Sequence, residues 1–233
     1  MSIADRLTEV RQRIAAAARS VGREPSSVRL IAVSKTFPIA QVREAYAAGH
    51  REFGENRVQE AVDKIDCSSD LHVRWHLLGH LQTNKARRAS SAFAVIQSID
   101  GIELMKKLDG FAADAGAAPE LLLQVDLAGE ETKHGVTPAE AQQFFDAAAG
   151  LRAARLVGLM TLPPIPQQPE DARPWFRQLR DRRDGWLASG VPTAMLRELS
   201  MGMSADFEVA IQEGATMVRV GTAIFGRRIP TSK

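Results

Sequence analysis

The sequence lacks the features that would mark a secreted, membrane-spanning or nucleic-acid-binding protein. It contains one cysteine, Cys67, so no disulfide can form within the chain, which fits a reducing compartment. There is no run of about 18 apolar residues, and the charged N-terminal segment lacks the apolar stretch of a signal peptide. Lys and Arg number 30 against 28 Asp and Glu, a balance that predicts neither a nucleic-acid nor a membrane partner. We therefore expect a cytoplasmic protein.

Short apolar runs alternate with helical segments along the 233 residues, after an amphipathic helix in the first 20. The runs are rich in β-branched residues, as expected of strands buried on both faces. Strands are predicted at 28–34, 50–54, 73–79, 93–99, 120–127, 156–162 and 195–202, and the segment 217–226 is predicted to carry the last strand and a short helix. Helices are predicted at 38–48, 56–66, 82–89, 101–115, 138–149, 170–188 and 204–213, with Thr137-Pro138 capping the fifth. A proline-rich loop, stiff and extended, lies at 163–174.

This alternation predicts the α/β class, with a parallel sheet and its helices outside. Eight strand–helix units in roughly 200 residues favour a closed (β/α)8 TIM barrel, here with an extra N-terminal helix. An open doubly wound sheet is the alternative. The first strand–helix turn, SKTFP (34–38), contains no glycine, so the dinucleotide-binding fingerprint is absent. We find no linker and predict a single domain over residues 1–233.

Lys35 stands out because it follows the apolar strand VRLIAVS (28–34). Functional groups of barrels lie at the carboxyl ends of strands, so this lysine is expected in the barrel mouth. Desolvation lowers the pKa of an amine, and a neutral amine attacks an aldehyde to form a Schiff base. A strand-end lysine that simply reaches solvent is an equal alternative from position alone.

Two further loops favour a reactive Lys35 over a lysine that simply reaches solvent. Ser200-Met201-Gly202-Met203-Ser204 and Gly221-Thr222 follow the last two strands, where barrels frequently bind phosphate through backbone N–H groups. Each loop alone reads as an ordinary turn, but both together, opposite a lysine, favour a phosphorylated carbonyl ligand. Arg219, within the strand segment MVRVG, faces either the mouth or an outer helix, because a shift of one residue reverses its side.

Several long motifs then make the chain resemble the pyridoxal phosphate homeostasis proteins, the YggS/PROSC family, which are related in fold to the N-terminal barrel of alanine racemase. The resemblance implies a barrel of the fold-type III kind that binds pyridoxal 5′-phosphate (PLP). His80 departs from the pattern, where a proline is expected, and we expect this to alter loop shape alone. The motifs are AVSKTFP (32–38), EFGENRVQEAVDK (52–64), WHLLGHLQTNK (75–85), QVDLAGEETKHG (124–135), GLMTLPP (158–164), ELSMGMSADFEVAI (198–211) and VRVGTAIFG (218–226).

The resemblance also implies roles for single residues. Lys35 is the implied Schiff-base lysine, and Arg219 lies beside the pyridine nitrogen, which a permanent cation keeps unprotonated. Asn56 contacts the ring or lines the pocket. The phosphate is held by Ser200, Gly221 and Thr222. Weaker candidates are His76 and Met203 for the pocket wall. Lys133 resembles a second lysine of the family that could accept the cofactor transiently, but a solvated surface lysine is the favoured interpretation; none of the candidates is assigned to a metal.

The cofactor alone would also fit an amino-acid racemase, which needs a base on each face of its substrate. In alanine racemase the second base is a tyrosine on a separate β-domain. This chain ends soon after the eighth predicted strand, and its single tyrosine, Tyr46, is predicted to face away from the mouth. We therefore expect a monomeric carrier that binds, buffers and delivers PLP to apo forms of PLP-dependent enzymes, without robust racemase activity.

Two alternatives come from other classes. A sugar-phosphate isomerase or aldolase would also use a lysine and a phosphate site, but it would be colourless in the visible range. An interaction protein would use the cluster Arg177, Arg180, Arg182 and Arg183 as a partner surface. Acidic residues interleave with these arginines, a pattern more typical of a solvated helix face.

Overall fold

A computed structural model describes residues 1–129 and 134–226 and confirms the predicted (β/α)8 barrel. Eight parallel strands close in sequence order, with β1 paired to both β2 and β8. The single domain predicted over 1–233 includes residues outside the described ranges and stays a prediction. The strands are β1 Arg29–Val33, β2 Glu52–Glu55, β3 Arg74–Leu77, β4 Val95–Ile99, β5 Glu120–Gln124, β6 Arg155–Met160, β7 Glu198–Ser200 and β8 Met217–Val220.

Helices follow the strands on the outside of the barrel. The extra N-terminal helix α1 begins with a capping box between Ser2 and Asp5 and packs its apolar side, including Leu7, against the last two helices. Within the described ranges no helix is both long and apolar enough to cross a bilayer. The helices are α1 Ile3–Arg19, α2 Ile39–Ala47, α3 Val58–Asp66, α4 Ala86–Ala92, α5 Ile102–Ala115, α6 Ala141–Ala148, α7 Arg173–Ala188, α8 Phe207–Gln212 and α9 Thr222–Phe225.

Three predicted boundaries were wrong for local reasons. The helix predicted at 138–149 begins only at Ala141, because residues 137–140 form a separate turn in which the Glu140 N–H donates to the Thr137 carbonyl at 3.1 Å. The helix predicted at 82–89 begins as a 3-10 turn and becomes α-helical only at α4. The strand predicted at 195–202 is just β7, since its flanks form a 3-10 turn and a loop.

The strands separate two layers of buried side chains. The outer core lies between the strands and the helices and contains Phe53, Leu77, Ile96, Leu199 and Val218 together with helix residues such as Phe176. The inner core fills the barrel itself. Its apolar part is Ile31, Val95, Leu122, Val157, Met160 and Met217.

Candidate functional site

A cavity of about 480 Å³ opens at the carboxyl ends of the strands, in the barrel mouth. This volume lies within the range of pockets that bind small molecules. Its wall is largely apolar, and its described charged side chains are Lys35 and Arg219. The described lining residues are Val33, Lys35, Phe37, Asn56, Leu78, Leu162, Pro163, Ile165, Met203, Ser204, Ala205, Arg219, Gly221 and Thr222.

Lys35 lies at the end of β1 with its side chain on the cavity side. Side chains alternate across a strand, so Ile31 in the inner core is followed by Val33 and Lys35 on the same face. The next residue, Thr36, has a φ of 68° although it is β-branched. A non-glycine residue in that left-handed region stores strain and persists only where neighbouring contacts hold it. The turn that presents Lys35 is therefore held in one conformation.

Those contacts come from α3. The buried amine of Lys64 donates to the Ser34 carbonyl and to Glu55 Oε1, each at 2.8 Å. Glu60 accepts from Lys64 at 3.2 Å and from the Thr36 N–H at 2.5 Å. Burial raises the pKa of the Glu55 carboxyl, an effect opposed by hydrogen bonds from Lys64 and Ser34. This buried ion-pair cluster fixes both residues that flank Lys35.

The side chain of Arg219 points into the barrel and not toward an outer helix. Its Nη1 donates to Ser200 Oγ at 2.6 Å and its Nη2 to the Thr161 carbonyl at 2.8 Å. Only 4% of its surface is exposed, and that small part borders the cavity. Burial lowers the pKa of Arg219 to about 10, with the Asp206 carboxylate opposing the effect. The guanidinium therefore stays protonated at neutral pH.

A chain of hydrogen bonds runs from Arg219 through the inner core to the other end of the barrel. Ser200 accepts from Arg219 and donates to Gln97 Oε1 at 2.6 Å. The amide of Gln97 lies 3.0 Å from Nδ1 of His76, whose Nε2 lies 2.5 Å from Glu52. Burial lowers the pKa of His76, so its ring is neutral at pH 7 and has one donor and one acceptor nitrogen.

Those roles give the chain one direction. A neutral His76 with its proton on Nε2 donates to the Glu52 carboxylate and accepts from Gln97 through Nδ1, a tautomer assigned from the network. Each member then donates to the next, from the guanidinium of Arg219 to the carboxylate of Glu52. The chain, hereafter the donor chain, consists of Arg219, Ser200, Gln97, His76 and Glu52.

The loop after β7 is shaped by a glycine and an aspartate. Gly202 has a φ of 90°, and a Cβ there would lie 2.5 Å from the Cβ of Ala210. Asp206 Oδ1 accepts from the Met203 N–H at 2.6 Å, which closes the turn. The loop therefore needs glycine at 202 and lies flat against α8, with Met203 and Ser204 in the cavity wall.

The loops after β7 and β8 meet beside the cavity. Ser204 Oγ accepts from the Gly221 N–H at 3.2 Å, and Ser204, Gly221 and Thr222 all line the cavity. Ser200, predicted to hold phosphate, lies elsewhere: it is wholly buried below the cavity, and its hydroxyl is engaged by Gln97 and Arg219. Ser204, which the sequence analysis named in this loop without giving it a role, is the hydroxyl residue of the loop after β7 that lines the cavity.

Of the remaining predicted site residues, some line the cavity and others do not. Asn56 lines the cavity, and its carbonyl would lie 2.2 Å from a Cβ at position 79, so the loop after β3 requires Gly79 to pack on it. Met203 is in the wall, whereas His76 is buried within the barrel. Lys133 lies outside the described residues.

Three of the four arginines in the α7 cluster form ion pairs. Arg177 and Arg180 both contact the buried carboxylate of Glu213, and Arg183 pairs with Asp184. These contacts are those expected of a solvated helix face packed on α8, as the interleaved acidic residues indicated.

Comparison with known proteins first defines a class of barrel. The alanine racemase N-terminal domain family matches residues 6–228. The alanine racemase of Clostridium difficile 630 has the same fold, with a TM-score of 0.69 at 15% identity; the match covers 95% of this chain and 57% of that chain.

Within that class, the chain belongs to the family of pyridoxal phosphate homeostasis proteins. It is 41% identical over 228 residues to the member from Aquifex aeolicus (strain VF5), covering 98% of this chain and 99% of that protein. The member from Escherichia coli (strain K12) is 40% identical over 232 residues, covering 97% of each. The structure of PipY from Synechococcus elongatus PCC7942 with PLP bound has a TM-score of 0.85 at 43% identity, covering 97% of this chain and 100% of that one.

Proposed function

We propose that this chain binds PLP in the mouth cavity through Lys35 and that it holds and delivers the cofactor without robust amino-acid turnover. One observation carries the proposal: Lys35 and Arg219 line the same cavity, beside a wall of small and hydroxyl residues from the loops after β7 and β8. The names of the relatives and the PLP-bound PipY structure support it.

The residues present fit PLP. The cofactor supplies an aldehyde, which condenses reversibly with a lysine amine. The strained, clamped turn at Thr36 presents the Lys35 amine to the cavity. Phe37, Leu78 and Leu162 give an apolar wall suited to a flat ring.

Arg219 is proposed to hold the pyridine nitrogen. The pKa of about 10 leaves its guanidinium charged at neutral pH, so it acts as a donor and keeps a facing nitrogen unprotonated. An unprotonated ring is a weak electron sink. This arrangement favours a tether over carbanion chemistry.

For the phosphate, we propose Ser204, Gly221 and Thr222. Their small side chains leave backbone and hydroxyl donors near the cavity wall. Ser200 is assigned a different role, as a positioning residue that fixes Arg219 through the donor chain. Asn56 contributes to the wall at the end of β2.

The cavity favours a carrier because it offers one proton-transfer group where a racemase needs two. Among its described lining residues, Lys35 has the side-chain group that can exchange a proton with a substrate, because the Arg219 guanidinium stays charged. The only tyrosine of the sequence, Tyr46, lies near the end of α2, and its hydroxyl accepts from the His72 N–H at 3.3 Å, just before β3 begins. That end of the barrel is opposite the mouth.

The first test is the visible spectrum of the protein after incubation with PLP. We expect a yellow protein in which borohydride reduction fixes the cofactor on Lys35, as located by peptide mass spectrometry. Lys35→Ala should abolish the attachment, and Lys106→Ala, on the exposed face of α5, should leave it unchanged. A colourless wild-type protein would overturn the proposal and favour the sugar-phosphate alternative.

The second test separates carrier from racemase. PLP-loaded protein should restore the activity of an apo PLP-dependent enzyme, and the Lys35→Ala protein treated in the same way should not. Alanine racemisation that depends on Lys35 at a rate comparable to a dedicated racemase would contradict the carrier role while leaving PLP binding intact.

A further inference from the structure

Two histidines and an aspartate from three different loops meet at the rim of the barrel mouth. His80 follows β3, Asp100 follows β4 and His134 follows β5. The three residues are far apart in the sequence, which explains why no metal site was predicted there. They do not line the 480 Å³ cavity, so their arrangement is unexplained by the proposed PLP site.

The ligand atoms of the three side chains converge. His80 Nδ1 lies 3.0 Å and His134 Nδ1 3.8 Å from the same oxygen, Asp100 Oδ2. The two imidazole rings stack with centroids 3.6 Å apart and an interplanar angle of 9°. One nitrogen or oxygen atom from each residue lies within 4.8 Å of the other two.

Backbone contacts hold the two histidine loops in place. Ser98 Oγ donates to the Gly79 carbonyl at 2.7 Å and so ties the residue before His80 to β4. Gln124 Nε2 donates to the His134 carbonyl at 2.5 Å and ties that loop to β5. The convergence is therefore built by the strands and does not depend on long mobile side chains alone.

A single shared proton cannot form hydrogen bonds that join all three side chains. It can bridge His80 and Asp100, but His134 Nδ1 lies beyond hydrogen-bond distance from the shared oxygen. A cation at the point of convergence would bind all three atoms. Two imidazoles and a carboxylate are the donor set that Zn²⁺ and related divalent ions take in proteins, with remaining positions left to water.

We propose that His80, Asp100 and His134 bind one divalent transition-metal ion, with Zn²⁺ as the reference ion. The site is separate from the PLP cavity and close to it, since the loop of His80 packs through Gly79 on the backbone of Asn56.

The test is calorimetric titration of Zn²⁺ into the untagged full chain, with and without PLP. We expect one ion per chain, and an affinity reduced by about tenfold or more in His80→Ala and in Asp100→Asn, because losing a ligand costs at least as much as losing an outer-shell partner. The matched control is His72→Ala, which removes another exposed histidine outside the cluster.

A second measurement uses Co²⁺ as the probe. The visible absorption of bound Co²⁺ reports nitrogen and oxygen ligands in a low-symmetry site. The cofactor-free wild type should show this absorption and His80→Ala should lose it, while both proteins still take up PLP. Absence of one-to-one binding, or equal affinity in wild type, His80→Ala and Asp100→Asn, would overturn the metal site. Loss of PLP uptake in the wild type would instead overturn the proposed function.

Discussion

The two cores of the barrel lie on opposite faces of the same strands, yet they differ in polarity. The outer core joins strands to helices through a continuous set of aliphatic and aromatic side chains. The inner core has a small apolar cluster and, beside it, the donor chain from Glu52 to Arg219. The outer core therefore supplies most of the hydrophobic stabilisation, and the inner core orients a charged group toward the cavity.

The donor chain is tolerated inside the barrel because each of its links is satisfied. Buried polar groups destabilise a fold when they lack partners, and low dielectric strengthens those that have them. Its two ends carry opposite charge, with Arg219 beside the cavity and Glu52, 23% exposed as a side chain, near the other end. Arg74 lies 3.6 Å from Glu52 and adds a second cation there.

The largest expected effect is a loss of stability from the outer core. Phe176→Ala removes a fully buried ring between α7 and its neighbours and should lower the free energy of unfolding by about 3–5 kcal/mol. Urea denaturation measures it. The control, Ile165→Ala, alters a side chain that is 90% exposed and should stay within about 0.5 kcal/mol of wild type. Equal losses of stability in Phe176→Ala and Ile165→Ala would contradict the stabilising role given to the outer core.

The second prediction concerns pH. Burial lowers the pKa of His50, which packs edge-on against Phe53 in the outer core, to about 4. The unfolded chain, with an ordinary histidine pKa of about 6.5, then binds more protons between these values, so stability is full above pH ~6.5 and falls toward pH ~4. The loss from this residue is on the order of 3 kcal/mol.

His50→Gln isolates that contribution, because the carboxylates that titrate in the same range are common to both proteins. Urea denaturation at several pH values from about 7.5 to 4.5 should give a shallower decline for the variant. Burial lowers the pKa of His76 in the inner core as well. The His50→Gln variant should therefore retain part of the decline in stability with falling pH. Parallel curves for wild type and His50→Gln would show that His50 is not the source.

Much of the fold was predictable because the outer core has a simple period. Apolar spacing in α1 reflects packing on one face, and the nearly continuous apolar run of β1 reflects burial on both faces. A sequence displays both patterns directly. Boundaries failed where a separate backbone turn precedes a helix, as at 137–140, because apolar spacing does not distinguish such a turn from the first turn of the helix.

The site was predictable in part. Lys35 and Arg219 were visible as charges within apolar strands. Gln97 was missed although it breaks the run FAVIQSI, since its partners come from β3 and β7 and no local pattern joins them. The structure places Ser200 below the cavity and not in its wall, which the sequence could not indicate because a serine at a strand end looks the same whether it faces a ligand or a neighbouring arginine.

The third prediction breaks the donor chain at its centre. Gln97→Leu keeps the size of the side chain but leaves Ser200 without an acceptor and His76 without a donor, at a cost of about 1–3 kcal/mol in stability. Ser200 then no longer holds Arg219 in one position, so bound PLP should dissociate faster. The absorbance of bound PLP should also depend on pH differently from that of the wild type.

The control for Gln97→Leu is Ile96→Val, one residue away and facing the outer core. It should lower stability by about 0.5–1.5 kcal/mol and leave PLP dissociation unchanged. Stopped-flow release into excess apo-enzyme measures the rate. A Gln97→Leu protein that is less stable but releases PLP at the wild-type rate would confine the donor chain to a structural role.

The smallest expected effect has the opposite sign and lies outside both cores. Gly185 sits within α7 on its exposed side, and an added Cβ would meet nothing within 4 Å. Gly185→Ala should therefore raise the free energy of unfolding by about 0.5–1 kcal/mol, since alanine loses less backbone entropy in a helix. Gly202→Ala, with a φ of 90° and a contact at 2.5 Å, should be destabilising in the same assay. If both substitutions stabilised the protein, the glycine conformation in the loop after β7 would not be a required part of the mouth.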